Sequence, residues 1–204
     1  MKKNISLIVL TALSVTVCSG CASYRASSLS MLPIETVFKY ADSNSSELLV
    51  VAKAFNKRDC ERYLDRDLIA EGYQPIQIYL QNNSNKQYVF TLDRITAAIA
   101  NVEEVAKTVH TSTVGRAAGY GAGALFLWPL AIPAIIDGVK SYQANKALDQ
   151  DFLSKAARDK IIQAHSQMNS ILFVPTHSFE DNFTITLIDN ETKEPVTLTV
   201  VVSR

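Results

Sequence analysis

Segments in which apolar and polar residues alternate limit the folds open to this chain more than any other feature of its sequence. Alternation of period two is the pattern of a β-strand that buries one of its two faces. In the final segment, Pro195–Val202, valine and leucine alternate mainly with threonine. The other segments predicted as strands are Glu47–Phe55, Pro75–Gln81, Gln87–Ile95, Ser170–Thr176 and Phe183–Ile188, with an additional short candidate at Ile34–Tyr40.

The number of these segments predicts how they are arranged. Six or seven antiparallel strands, each with one apolar face, bury those faces most simply as two packed sheets. We therefore expect an immunoglobulin-like antiparallel β-sandwich. The sequence has neither the cysteine pair nor the strand tryptophan of antibody domains, so this expectation concerns the architecture alone.

Helical patterns interrupt the strands and complete the predicted fold class. Lys57–Glu71 carries its apolar residues on one stripe, and Asn101 begins a second helix. A longer amphipathic helix is expected from Ser141 to Ala164. The chain is thus predicted to be mainly β with a helical insertion (α+β), the insertion covering about 97–165 of a single domain of residues 34–204.

The segment between the last two helices is rich in glycine and carries no charge from Ala117 to Ile136. Glycines spaced four apart lie along one face of a helix and let a second helix approach closely. Prolines in the second half of the segment break a straight helix. We expect a helical hairpin with a break near Trp128–Pro133, in which helix packing or membrane contact involves Gly115, Gly119, Gly123 and Trp128.

Three interpretations of this glycine-rich hairpin remain open at the level of the sequence. The hairpin can pack on the sandwich as a buried helical layer. It can enter a bilayer, with Trp128 and Tyr120 at the boundary between lipid and water. It can also meet the same glycine-lined face of another copy of the chain.

The beginning of the sequence has the pattern of an exported protein. Lys2 and Lys3 precede an uncharged, mostly apolar stretch, Ile5–Val17, which is typical of a secretory signal peptide. A helix that spans a bilayer takes ~20 apolar residues, and this stretch is shorter. Cleavage is expected before Cys21, which makes residues 1–20 the signal peptide.

Ser19-Gly20-Cys21 resembles the lipobox of bacterial lipoproteins, although that family usually has an aliphatic residue where this chain has Cys18. The resemblance implies a diacylglyceryl group on Cys21, and Ala22 implies sorting to the outer membrane. With its glycine-rich segment, the chain is similar to outer-membrane lipoproteins that carry a glycine zipper. The serine-rich residues 21–33 are then a tether between membrane and body.

The charge balance excludes a nucleic-acid-binding protein, and the cysteine content excludes an internal disulfide. The sequence has 20 basic and 20 acidic residues, a balance without the basic patch expected of a protein that binds nucleic acid. Only Cys21 and Cys60 follow the expected cleavage site, and lipid on the first leaves no partner for an internal disulfide. Cys60 is either a small buried apolar residue or an exposed thiol.

Residue patterns typical of catalysis are nearly absent from the sequence. His110, His165 and His177 lie too far from one another and from the cysteines for a local metal site. The sequence contains no nucleophile elbow, no nucleotide-binding P-loop and no metalloprotease helix motif. We expect no enzymatic activity, no metal and no cofactor.

These predictions give two hypotheses for the function. The first is a non-enzymatic, lipid-anchored envelope protein that serves as a binding or assembly module at the outer membrane. Its partners would be the membrane, through the N-terminal lipid, and another protein or a second copy of the chain. The alternative is a membrane-active protein whose apolar hairpin, residues 117–136, inserts into a bilayer.

Overall fold

The structure is a computed structural model that describes residues 23–32, 47–111 and 131–204, with the backbone alone for 131–139. The chain divides into two compact units. One, the glycine-rich unit, consists of Met1–Arg25 and His110–Leu148, and the other, the β unit, consists of Ala26–Val109 and Asp149–Arg204. The glycine-rich segment itself, with Gly115, Gly119, Gly123 and Trp128, lies outside the described residues, as do Cys21 and the strand candidate Ile34–Tyr40.

Seven strands and three α-helices occur in the described part of the chain. The strands are β1 (Leu48–Ala54), β2 (Tyr73–Asn82), β3 (Tyr88–Phe90), β4 (Lys160–Ile162), β5 (Gln167–Pro175), β6 (Asn182–Asp189) and β7 (Pro195–Ser203). The helices are α1 (Lys57–Leu64), α2 (Val102–Thr108) and α3 (Ala131–Lys155), and short 3₁₀ turns cover Leu92–Arg94 and Thr176–Ser178. The prediction of a mainly β chain with helices is confirmed.

The strands form one mixed sheet in the order β4-β3-β6-β7-β1-β2-β5. All neighbours pair antiparallel except β7 and β1, which pair in parallel through Ala52↔Val202 and Lys53↔Ser203. The expectation that every strand pair is antiparallel is therefore wrong at this position. The sheet curves almost into a barrel, and the finer prediction of an immunoglobulin-like sandwich of two sheets is not confirmed.

The segment that follows α3 brings the two outermost strands of the sheet towards each other. The Ala157 N–H donates to the Ile171 carbonyl of β5 over 2.9 Å, and Ala156 bridges the same residue. The chain then forms β4, which pairs with β3 at the other end of the strand order. This short connection explains the nearly closed form of the sheet.

A single apolar core fills the inside of this sheet. Every strand contributes to it, so the alternation predicted from the sequence is the inward-facing set of side chains. The fully buried members from the two halves of the sheet face each other across a common interior. The largest are Phe90, Ile76, Ile78, Leu80, Ile162 and Met168, joined by Phe183, Ile185 and Leu187 of β6 and Leu198, Val200 and Val202 of β7.

Three predicted elements end earlier than the sequence pattern suggested. Helix α1 ends at Leu64 instead of Glu71 because Asp65 adopts a left-handed conformation with φ of 52°. The strand predicted over Gln87–Ile95 is a strand only from Tyr88 to Phe90 and continues as a 3₁₀ turn. The helix predicted to end at Ala164 ends at Lys155, and the residues beyond it supply β4.

Proline 133 lies inside α3, at the third position of the helix. Proline is tolerated in the first turn of a helix, where its missing N–H would have no intrahelical acceptor. Of the break predicted near Trp128–Pro133, the part before Ala131 lies outside the described residues.

Candidate functional site: the N-terminal docking site

The segment Ser27–Leu32, part of the predicted tether of residues 21–33, lies on the outer face of the β unit. Its N-terminal contact is at α1, where the Ser27 N–H donates to the Arg62 carbonyl over 2.8 Å. Three further contacts hold it, centred on Lys155, on Gln77 and on Leu32. We call Ser27–Leu32 the docked segment and its binding surface the docking site.

Local sequence places α1 beneath the docked segment. Asn56 caps the helix by accepting from the Asp59 N–H over 3.0 Å, and the Asp59 carboxylate accepts from the Asn56 N–H over 3.2 Å. This reciprocal pair is the capping box, which fixes the position at which a helix begins. The last turn then offers the backbone carbonyls of Arg62 and Tyr63 to the groups that hold the docked segment.

Lys155, at the end of α3, is the most heavily engaged residue of the docking site. Its ammonium group donates to the Ser27 carbonyl over 2.8 Å, the Tyr63 carbonyl over 2.6 Å and the Asp151 carboxylate over 2.5 Å. A lysine ammonium has three N–H donors, so all three are used. The side chain is only 7% exposed. Because a buried charge is costly without partners, these three acceptors are what permits its burial.

A pair of side-chain amides grips the middle of the docked segment. Gln77 on the outer face of β2 is 2% exposed. Its amide nitrogen donates to the Ser30 carbonyl over 2.7 Å and to the Asn169 side-chain oxygen over 2.8 Å. The Asn169 amide donates to the same Ser30 carbonyl over 3.2 Å, and the Ser30 and Tyr63 hydroxyls share a hydrogen bond of 2.5 Å. These bonds satisfy polar groups that the docked segment removes from water.

Leu32 completes the docking site with an apolar contact. It packs with Val51 of β1 and Tyr79 of β2, and all three side chains are buried. The Tyr79 hydroxyl lies 3.0 Å from the Gln81 side-chain oxygen and 2.9 Å from that of Gln167, to which it donates. Burial raises the pKa of Tyr79 above its usual value, so the phenol stays protonated and remains a donor.

The end of the β unit opposite α1 has a different chemistry. Three turns meet there, Asn83–Gln87, 163–166 and 190–194, and their side chains are almost all polar, with amides most frequent in the first turn. Asn82 is fully buried among them, and its amide donates to the carbonyls of Lys86 and Gln163 over 2.7 and 2.9 Å. We call this the turn end, and the end that carries α1 the α1 end.

Asp189 fixes the last of these three turns. Its carboxylate accepts from the backbone N–H groups of Glu191 and Thr192 and lies 3.2 Å from the Lys86 ammonium. The two backbone donors and the lysine lower the pKa of the Asp189 carboxyl. The turn end is therefore an ordered surface built from hydrogen bonds within the chain.

Cys60 is a residue of α1, and its thiol is buried rather than exposed. Its side chain is 0% exposed, which confirms the first of the two interpretations from the sequence. Burial, with a further contribution from the negative charge of Asp67, raises the pKa of the Cys60 thiol to about 12. At neutral pH the group is a protonated, apolar side chain and not a nucleophile.

The β unit also contains two small cavities. The larger, of about 320 Å³, opens at the α1 end between Ile76, Val174 and Phe183 with Ser178, Glu180 and Asn182 at its rim. The other, of about 210 Å³, lies beside Phe173, Ala157 and Arg158. Both volumes lie at or below the lower limit of small-molecule sites.

Within the described ranges, no three histidine, cysteine or acidic side chains are grouped so that they could hold a metal ion. His165 contacts the Asn85 side chain at the turn end over 2.9 Å, whereas His177 belongs to the 3₁₀ turn after β5. Among the residues that the structure describes, no helix combines the length and apolarity needed to cross a membrane.

No protein family, no curated protein and no solved structure matches this chain.

The docking site is not predictable from local sequence patterns. Lys155 and Ser27 are 128 positions apart, and a long-range contact of this kind has no local pattern. One signal was present in β5, where Ile171, Leu172, Phe173 and Val174 are consecutive apolar residues. Such a run indicates a strand with both faces buried, and hence a second layer over its outer face.

Proposed function

We propose that this chain is a non-enzymatic, lipid-anchored envelope protein that acts as a binding or assembly module at the outer membrane. The docked segment is the observation that supports this role. Ser27 is the sixth residue after Cys21, and six residues reach at most about 22 Å when fully extended. Lipid on Cys21 would therefore hold the whole β unit close to the membrane surface, because no long flexible linker separates them.

The state of the polar side chains supports a role without catalysis. Lys155, Gln77 and Asn169 are occupied with the docked segment, and Cys60 is a protonated, buried thiol. Groups engaged in this way maintain a conformation and are not available to a substrate.

The immunoglobulin-like sandwich belongs to this proposal as the finer description of the fold. The half of the sheet made by β1, β2 and β5 and the half made by β3, β4 and β6 face each other across one core, and β7 joins them. In this description, β7 is a strand that changes from one sheet to the other along its length.

The partner surface that we propose is the outer face of β6 and β7. Thr186 and Thr197 are paired on this face by a hydrogen bond of 3.1 Å, and Val201 is 47% exposed. The outward residues of these two strands carry no charge from Asn182 to Ile188 and from Pro195 to Val201. An uncharged sheet face suits another protein or a second copy of the chain.

Acyl labelling in cells tests the anchor. The chain should incorporate a labelled fatty acid and fractionate with the outer membrane, and Cys21→Ala should abolish both. Cys18→Ala, a change of the same type three residues earlier, should keep the label. Incorporation that survives Cys21→Ala would contradict the proposal.

Flotation with liposomes separates this role from the membrane-active alternative. Protein made without residues 1–20 and carrying Cys21→Ala should stay with the soluble fraction when liposomes float. Co-flotation of this lipid-free protein would instead favour a bilayer-inserting hairpin at residues 117–136.

A further inference from the structure

The docked segment has a direction along the sheet. Ser30 contacts Gln77, and Leu32, two residues later, packs on Tyr79, two residues later in β2. The docked segment and β2 therefore run in the same direction. Ser27 lies correspondingly nearer the start of β2, in agreement with its bond to Arg62 of α1.

The start of β2 belongs to the α1 end of the β unit. Strand β1 ends there, since Ala54 pairs with Ile76, and β5 ends there, since Pro175 pairs with Tyr73. Ser27, at which the docked segment begins, thus lies nearer the α1 end than the turn end. Cys21 can lie no further from Ser27 than about 22 Å.

The β unit is longer than the distance that the chain between Cys21 and Ser27 can span. Strand β2 has ten residues, which span about 33 Å at a rise of 3.3 Å per residue. The turn end is therefore further from the docking point of Ser27 than the tether can extend. A lipid on Cys21 can therefore bring the α1 end into contact with a membrane. It cannot bring the turn end into contact in place of the α1 end.

The exposed face of α1 has charges that suit lipid phosphate. Arg58 and Arg62 are both exposed and four residues apart, so the two residues lie on the same side of α1. Guanidinium groups bind phosphate oxygens with two parallel hydrogen bonds. Glu61 lies on the same exposed surface, which keeps the attraction modest.

We infer that the α1 end of the β unit rests on the lipid surface through Arg58 and Arg62, and that the turn end faces away from the membrane. This orientation deepens the proposed function and rests on the lipid at Cys21. It places the polar turns of the turn end on the side of the β unit that faces the compartment.

Two matched labels test the orientation in the full, lipidated protein on vesicles that contain anionic phospholipid. Glu61→Cys in α1 and Glu191→Cys in the turn at the end of β6 each replace an exposed glutamate and accept a fluorophore. Cys60 is buried and should stay unlabelled. A labelling reaction on the unsubstituted protein checks this. A quencher attached to lipid headgroups should reduce the fluorescence at position 61 several-fold more than at position 191.

Equal quenching at the two positions, or stronger quenching at position 191, overturns the orientation. Mass measurement of the same samples shows whether Cys21 carries lipid. Protein without that lipid overturns the proposed function itself, so the two failures are distinguishable.

Two further variants separate the causes of the orientation. About twelve glycine and serine residues inserted between Tyr24 and Arg25 add roughly 20 Å of flexible chain, which should reduce the difference between the labels. Arg58→Glu should weaken quenching at position 61, whereas Lys193→Glu, an equal charge change at the turn end, should not. A difference that survives both the insertion and Arg58→Glu would contradict the inference.

Discussion

The outer face of the sheet is covered differently on its two halves, the face at β2 and β5 and the face at β6 and β7. On β2 and β5 the outward side chains Gln77, Tyr79, Ile171 and Phe173 are buried beneath the docked segment or beside the end of α3. On β6 and β7 the outward threonines are partly or fully exposed. The same alternation of strand residues thus supports a face in a packed interior and a face in water. The difference teaches that stability in this chain depends on layers added outside the sheet as well as on the core within it.

Phe173→Ala should give the largest contrast between the two faces. The Phe173 ring stacks on Phe152 of α3 with centroids 5.6 Å apart and is 1% exposed. Truncation should lower the free energy of unfolding by about 3–5 kcal/mol, because a buried aromatic ring leaves a cavity. Urea denaturation measures this loss. Thr199→Ala on the exposed face should change it by less than about 0.5 kcal/mol, and a comparable loss there would remove the contrast.

Lys155→Met should lower the free energy of unfolding by less than Phe173→Ala does. Unlike that change, it should act on the docked segment. The change leaves the Ser27 and Tyr63 carbonyls and the Asp151 carboxylate without their shared donor. We expect a loss of about 2–3 kcal/mol, because Asp151 stays in part solvated. Hydrogen exchange should show faster exchange at the Ser27 N–H, with little change in the middle of β6.

The control for this change is Lys160→Met. Lys160 is an exposed residue of β4, and its replacement removes the same charge without these acceptors. Protection of the Ser27 N–H that is equal in both variants would show that Lys155 does not hold the docked segment.

Gln77→Ala should have a smaller effect. The Ser30 carbonyl keeps the weaker bond from Asn169, but the Asn169 oxygen loses its donor. Because Asn169 is only partly buried, we expect a loss of about 1 kcal/mol, the lower end of the cost of an unsatisfied buried polar group. Thermal unfolding of this variant should be compared with Gln87→Ala, which removes an exposed amide at the turn end. Equal midpoints would argue against the role of Gln77.

The last effect is absent at neutral pH and should appear only as a dependence of the stability on alkaline pH. Because the pKa of Cys60 is about 12 in the folded chain and near 9 when unfolded, the unfolded state loses its thiol proton first as the pH rises. Stability from this residue is complete below pH 9 and should fall between pH 9 and 12. Cys60→Ala should flatten that part of the profile in urea titrations. An unchanged slope would show that the thiol does not titrate differently in the two states.

Long strands with clear alternation, such as β6 and β7, are predictable from the sequence because a local pattern specifies them. The class of fold was predictable in this way, but the arrangement of the strands was not. The parallel pairing of Ala52 with Val202 and the late strand at Lys160–Ile162 depend on residues distant in sequence. The docking site was missed for the same reason. A polar residue such as Gln77 on a strand is ordinarily solvated, and only the docked segment above it makes it buried.

The short connection from Ala156 to Ile162 has a consequence for crowding. Proteins tethered to one surface meet at far higher effective concentration than the same proteins in bulk. An open strand edge in such a population is a template for pairing with a neighbour. Here β5 already bonds to Ala157, and the opposite outermost strand, β4, has only three residues. Within the described residues, the outermost strands therefore offer little backbone on which neighbouring copies could build a shared sheet, so a contact between copies would have to be made by side chains.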